Sequence, residues 1–214
     1  MAMTDPQAAR RIALVRHGST AWNVPGRLTS HTDLELSPAG EDEARLLARR
    51  LRDELPAAQL WASPALRARQ TAAEIGALLK TDCRIVDDAR EAGFGRFEGL
   101  TRAELTGGAE SGAYARWEAG LEVGDAEPLA DVGTRAARVF SAMLTSTDAI
   151  DQILVTHGVF IRVLLCVAVL GLEPTAYRRL VVDNASITVV RADQDGLRLS
   201  LLNSCEHLRL AEAP

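Results

Sequence analysis

The sequence predicts an α/β fold: a three-layer sandwich with a mostly parallel central sheet, an antiparallel edge strand, and helices on both faces. Three observations predict it. Short apolar runs of strand length alternate with longer stretches whose apolar residues recur at helical spacing. Two of those runs end on a His-Gly pair, at the end of the strand where an open sheet presents its ligand site. The last two runs are joined by a turn too short for a crossover, so they pair antiparallel at an edge.

Ile12 to Val15 is the first buried strand. Ser37-Pro38 reads as an N-cap with proline at the first helical position, and Ala44, Leu47, Ala48, Leu51 and Leu55 then recur at helical spacing up to Pro56. Leu60 to Ala62 is a second strand, after which Ser63-Pro64 caps a helix carrying Leu66, Ala73, Ile75, Leu78 and Leu79. Arg84 to Val86 and Ile153 to Thr156 follow as strands. A helix from about Val159 to Leu170 ends at Gly171, where a left-handed residue is expected. Val181 to Val190, interrupted at Asn184, and Leu197 to Leu202 are the last two strands, turning at Asp193 to Gly196.

A chain of 214 residues, 47% apolar and 25% charged, is one globular domain spanning 1–214. Residues 92–133 read as an excursion covering the active site. From Thr106 onward that segment is rich in Gly, Ala, Glu and Asp, with a short helix around Tyr114 to Ala119. The net charge of −5 argues against a nucleic-acid partner, and no apolar run is long enough to span a membrane. Met1 to Arg10 lacks the apolar core of a signal peptide. Cys83, Cys166 and Cys205 are odd in number and widely spaced, as idle thiols in a reducing compartment would be. A cytoplasmic location is therefore expected. Oligomeric state is unspecified, and a homodimer is allowed.

The chemistry concentrates in two matching constellations. Arg16-His17-Gly18 ends the first strand, and Thr156-His157-Gly158 ends a later one and opens a helix whose N–H groups suit an anion. One such histidine would read as a surface residue of a turn. Two, in a chain with four, point to a shared phosphate cradle with Arg16. Gly18 and Gly158 would let the backbone approach the ligand. A metal site built from His17, His157, His31 and Asp33 is the competing reading. No HxH, HExxH or cysteine pair fixes its spacing, so no metal and no cofactor are expected.

These residues resemble a known family. Arg16-His17-Gly18-Ser19-Thr20, Trp22-Asn23, Gly26-Arg27 and Thr32-Asp33 are similar to the opening signature of the histidine phosphatase superfamily, in its phosphoglycerate mutase-like branch. The resemblance continues through Ser63 to Ala72, Glu91 with Gly95 to Gly99, Thr156-His157-Gly158, Asn184 to Ile187, Leu202-Asn203 and His207-Leu208. It implies that His17 attacks phosphorus, with Arg16, Arg67 and His157 holding the equatorial oxygens. Glu91 would protonate the leaving alcohol and later deprotonate the attacking water. That role needs a carboxyl protonated part of the time, as burial or nearby negative charge would favour. Asn23 would donate to the same phosphate. Trp22 and Phe97 read as packing residues, Asn203 and His207 as pins for the C-terminal segment, and Cys166 as core.

Two departures matter. Thr29-Ser30 stands where the family's mutases show Gln-Gly, so Thr29 becomes a candidate donor to the phosphate. Ala130 to Gly133 replaces a Gly-Glu-Ser motif. Between Arg102 and Arg135 only Arg116 is basic, against seven acids. A mutase must hold a doubly anionic bisphosphate and exclude water, tasks that a short acidic cover serves poorly. The expected activity is therefore hydrolysis of a small-molecule phosphate ester. A cofactor-dependent mutase is the alternative. An inactive phospho-ligand-binding relative is less favoured, because Arg16, His17, Arg67, Glu91 and His157 are all present.

Overall fold

The structure is a computed structural model that describes residues 10–146 and 151–209. Residues 1–9, which carry most of the reading of the leader, lie outside them. Strand β1 (Arg10–Arg16) is followed by α1 (Pro38–Glu54), which starts as the sequence predicts. The Gly40 N–H donates to Ser37 Oγ at 3.1 Å, and Pro38 occupies the first turn, where its missing N–H costs nothing. The predicted apolar stripe, Ala44, Leu47, Ala48 and Leu51, is the buried face. Each fully buried leucine there contributes roughly 1.5–3 kcal/mol.

Strand β2 (Gln59–Ala62) leads to α2 (Leu66–Leu79). Here the expected Ser63-Pro64 cap is corrected. Ala65 is the N-cap and supplies no side-chain bond; instead Asp33 reaches across, its Oδ1 accepting from the Leu66 N–H at 2.6 Å. Strand β3 (Cys83–Ile85) lies one residue earlier than predicted. Helices α3 (Arg102–Gly107) and α4 (Ser111–Glu118) follow. Next comes α5 (Leu129–Thr145), which begins inside the segment read as an excursion. Strand β4 (Gln152–Thr156) opens into α6 (Gly158–Leu164). That helix widens into a π-turn at Leu165–Val169 instead of continuing as α-helix to Leu170, and Gly171 takes the expected left-handed conformation, φ +64°.

Strand β5 (Ile187–Asp193) starts six residues later than the apolar pattern suggests. Val181 to Ser186 is a loop whose carbonyls and amides serve the site, and Ala185 is left-handed at φ 53°. Strand β6 (Gly196–Ser204) and the short α7 (Glu206–Arg209) complete the described chain.

The six strands lie in the order β3-β2-β4-β1-β5-β6. The first four are parallel, and β5 runs antiparallel to both β1 and β6. Alternation along the central strands divides the core. Ala13, Val15, Leu60, Ala62, Ile153 and Val155 face α1 and α2, whereas Ile12, Leu14, Trp61 and Leu154 face α5 and α6. Burial on both faces is why these strands read as continuous apolar runs. The 92–133 segment is tied to the second face by aromatics. Phe97 meets Tyr114 edge-on at 5.4 Å, and Trp117 meets Phe94 and Tyr177 at 5.7 and 6.2 Å. Among the described residues no helix is long and apolar enough to cross a membrane.

Candidate active site

The topology places two histidines together. Strands β1 and β4 are parallel neighbours with Arg16 opposite Thr156, so His17 and His157 leave the sheet side by side. The His17 N–H donates to Thr156 O at 3.0 Å, and the two rings meet edge-on with centroids 5.2 Å apart. Helix α2, which follows the adjacent strand β2, brings Arg67 in its first turn to the same point.

Hydrogen bonds set the His17 tautomer. Nδ1 lies 2.7 Å from Gly18 O, a carbonyl that only accepts, so Nδ1 carries the hydrogen. Nε2 lies 3.3 Å from Arg67 Nε, which only donates, so Nε2 keeps its lone pair. Burial, reinforced by the Arg67 and Arg16 guanidiniums, holds the imidazole well below its ordinary titration range, so it is neutral at neutral pH. Arg67 is itself fully buried and fixed by three carbonyls, Thr32 O and Ser30 O at 3.2 Å and Thr29 O at 3.4 Å.

Arg16 donates from Nη1 to Val182 O at 2.7 Å. Its guanidinium lies against the bare Cα of Gly158, where a Cβ would come within 3.4 Å of Cζ and Nε. His157 Nε2 is 2.7 Å from Ser63 Oγ. Five buried side-chain polar atoms have no partner among the described residues, and two of them, Arg16 Nε and His157 Nδ1, belong to residues next to the His17 ring, which fits an anion held among them.

Glu91 sits at the start of α6. Its Oε2 accepts from the Val159 N–H at 3.0 Å, and its Oε1 accepts from Ala92 and Phe160, both at 2.9 Å. The anion-binding N–H groups of that helix are thus taken by a carboxylate, not left open for phosphate. Glu91 is buried, as its expected role favours, and its charge acts on the Arg16 and Arg67 guanidiniums of the cradle.

The four residues expected to contact phosphate have the following partners among the described residues. The Gly18 N–H donates to Thr71 Oγ1 at 3.1 Å, and its Cα faces Gly40 O, which a Cβ would approach to 2.4 Å. Glycine is required there for packing against α1. Asn23 Oδ1 accepts from the Thr20 N–H and Oγ1 at 2.8 and 2.9 Å and from Asn184 Nδ2 at 3.3 Å. The Thr29 hydroxyl turns to Arg27 O at 3.5 Å, while its carbonyl holds Arg67. Gly158 takes part by admitting Arg16. His31 is exposed and Asp33 is engaged at α2. Among the described residues no three His, Cys, Asp or Glu side chains converge as a metal site requires.

Several supporting residues escaped the sequence reading. Arg135, on α5, donates to the carbonyls of Asp88, Arg90 and Glu91, pairs with Glu127 at 2.7 Å and lies over the Phe160 ring. Glu127 in turn accepts from the Gly93 N–H at 2.9 Å. The pair therefore clamps the backbone on both sides of Glu91. Glu98 does the same for Arg67. Its carboxylate accepts from Ser30 N, Ser30 Oγ and Thr32 N at 3.0, 2.8 and 2.8 Å, shaping the loop whose carbonyls grip the guanidinium.

Burial alone would raise the Glu98 carboxyl, but the donors from Thr32 and Ser30 outweigh it and hold it at about 2. Because its folded value lies below the unfolded one near 4.5, its stabilisation is complete above that pH and is lost as pH falls toward about 2. Urea unfolding of Glu98→Gln at several pH values should show lower stability at pH 7 and a shallower loss between pH 5 and 3. An unchanged acid slope would contradict this account.

The sequence profile of the histidine phosphatase superfamily (branch 1) matches residues 12–205. A probable phosphoglycerate mutase, GpmB, from Erwinia tasmaniensis is 32% identical over 189 residues, 86% of each chain. An acid phosphatase from Mycobacterium tuberculosis is 30% identical over 156 residues, covering 72% of this chain and 73% of that one. The solved structure of a mycobacterial glucosyl-3-phosphoglycerate phosphatase superposes with a TM-score of 0.81 at 29% identity, covering 92% of this chain and 100% of that one.

Proposed function

Since the chain belongs to the histidine phosphatase superfamily, branch 1, we propose that it hydrolyses a small phosphomonoester through a phosphohistidine formed on His17 Nε2. The observation that carries this reading is the tautomer lock: a neutral imidazole whose bare nitrogen rests on a guanidinium. A phosphate drawn to Arg67, Arg16 and His157 would present phosphorus to that lone pair. The Nε2–P bond forms as the P–O bond to the alcohol breaks, and the leaving oxygen takes its proton from Glu91. Water then gives a proton to the Glu91 carboxylate and attacks phosphorus. The N–P bond breaks, inorganic phosphate leaves and neutral His17 returns. A bound phosphate would bring negative charge to Glu91 and favour its acid form. In its acid form one oxygen must release an N–H donor and turn its O–H toward the leaving group.

Hydrolysis is favoured over mutase chemistry by the short acidic cover, in which only Arg116 is basic between Arg102 and Arg135, against seven acids, whereas a mutase has to hold a doubly anionic bisphosphate. Three free thiols suit the reducing cytoplasm. Product analysis over a panel of phosphate esters tests the proposal. Inorganic phosphate should appear without any added bisphosphate, whereas isomerisation that requires a bisphosphate would establish the mutase.

A further inference from the structure

The second imidazole of the site has one hydrogen-bond partner among the described residues, the Ser63 hydroxyl, 2.7 Å from its Nε2. The sheet sets up that contact. Strands β2 and β4 are parallel neighbours with Ala62 opposite Val155, and the Ser63 N–H donates to Val155 O at 2.9 Å. Ser63 and His157 therefore leave adjacent strands together, and both are fully buried. Burial, reinforced by Arg67, His17 and Arg16, holds His157 well below its ordinary titration range. The ring is neutral at neutral pH and carries a single hydrogen, so whatever bonds one nitrogen decides what the other can offer.

Two arrangements are open, and counting unsatisfied groups separates them. If Nε2–H donates to Ser63, the serine hydrogen has no acceptor among the described residues. Nδ1 then keeps a bare lone pair that also goes unserved, because Arg16 Nε makes no bond to it. Two buried groups are left wanting. If instead Ser63 donates to Nε2, its oxygen still accepts from the Ala65 N–H at 3.4 Å, and only Nδ1–H is left over. Unsatisfied buried groups are costly, so the second arrangement prevails.

We propose that Ser63 is a positioning residue of phosphotransfer: by donating to His157 Nε2 it fixes the hydrogen on Nδ1, where it serves an oxygen of the phosphoryl group passing to His17. The two rings lie edge-on with centroids 5.2 Å apart, so a phosphoryl group at His17 brings the acceptor that Nδ1–H lacks. In the other tautomer a lone pair would meet that oxygen and repel it. This inference rests on the phosphatase reading and adds to it the residue that orients one of the phosphate donors.

The test uses the full-length enzyme. Nitrogen NMR of the protein with labelled histidine rings reads the tautomer, the His157 signals being those lost in His157→Phe. Wild type should show a protonated Nδ1 and a bare Nε2, and Ser63→Ala should lose that preference. Its kcat/KM should fall about tenfold, and equally for p-nitrophenyl and alkyl phosphates, because Glu91 is untouched. Ser63→Thr, which keeps the hydroxyl, should recover most of the loss. In the His157→Phe background Ser63→Ala should cost less than about twofold, since Ser63 acts only through the imidazole. A wild-type His157 protonated on Nε2, no loss in Ser63→Ala, or an equal loss in both backgrounds overturns the proposal. If Ser63→Ala does not fold, the wild-type tautomer decides alone. Failure of the wild type to release phosphate from any ester overturns the phosphatase reading instead, and the tautomer is still read without turnover.

Discussion

His17→Ala is expected to abolish turnover and phosphoenzyme formation together, with a loss of about 10⁴-fold or more in kcat, as for other nucleophile deletions. His17 is the imidazole whose hydrogen bonds fix a lone pair on Nε2 beside Arg67. The fold should persist, because the backbone bonds of residue 17 to Thr156, Ala185 and Asn184 do not involve the ring. Circular dichroism and the melting temperature check that point. Removing the ring also relieves Arg67 and Arg16 of a neighbour they crowd, so stability should change by no more than about 1–3 kcal/mol. Turnover above about one per cent of wild type in a correctly folded variant would contradict nucleophilic catalysis.

Glu91→Gln is the second large effect, and its size should depend on the leaving group. For an alkyl phosphate the departing alkoxide needs a proton, so loss of the acid should cost about 10²- to 10⁴-fold. For p-nitrophenyl phosphate the first step needs no proton. A rapid burst of p-nitrophenol should therefore survive, while the steady state slows because water has lost its base. Glutamine is not innocent in this position. Its oxygen can keep the Ala92 and Phe160 N–H groups, but its NH₂ then faces the Val159 N–H. One buried donor is left unpaired, at a cost of about 1–3 kcal/mol, which the melting temperature will register. Equal losses for both esters in the burst phase would contradict the general-acid role.

Much of this was legible in the sequence because the signals are local. The apolar runs at 12–15, 60–62 and 153–156, the Ser37-Pro38 start and the two His-Gly pairs are each encoded within a few residues. What was hidden depends on contacts between distant residues. Ser63 looks like a helix cap, yet its hydroxyl is spent on His157, 94 positions away, and Asp33 caps α2 instead. Gly18 looks like a ligand-approach glycine, and it must also admit Gly40. Val181-Val182 looks like strand, but pairing there is given up so that Val182 O can hold Arg16 and the Ala185 N–H can hold His17 O at 3.1 Å. The left-handed backbone at Ala185, uncommon for a residue with a Cβ, marks the strain this arrangement carries.

The charge count along the cover leaves out how those charges are used: Glu104 caps α3, and Glu110 and Glu127 are held in ion pairs with Arg96 and Arg135. The arginines that line the cavity of about 660 Å³ come from α3, α6 and the turn of 3-10 helix at Pro174–Arg179. Arg135 illustrates the limit best. It lies 44 positions from Glu91 and touches nothing reactive, but it fixes the backbone that aims the acid.

The central claim is that phosphorus is transferred to Nε2 of the position-17 imidazole. Rapid quench of enzyme with substrate, followed by peptide mapping and phosphorus NMR of the isolated phosphopeptide, tests it most directly. The account predicts an acid-labile, alkali-stable adduct on His17 alone, bonded through Nε2 and formed no more slowly than steady-state turnover. Phosphate on Nδ1, on another residue, or on no residue during normal turnover would contradict it.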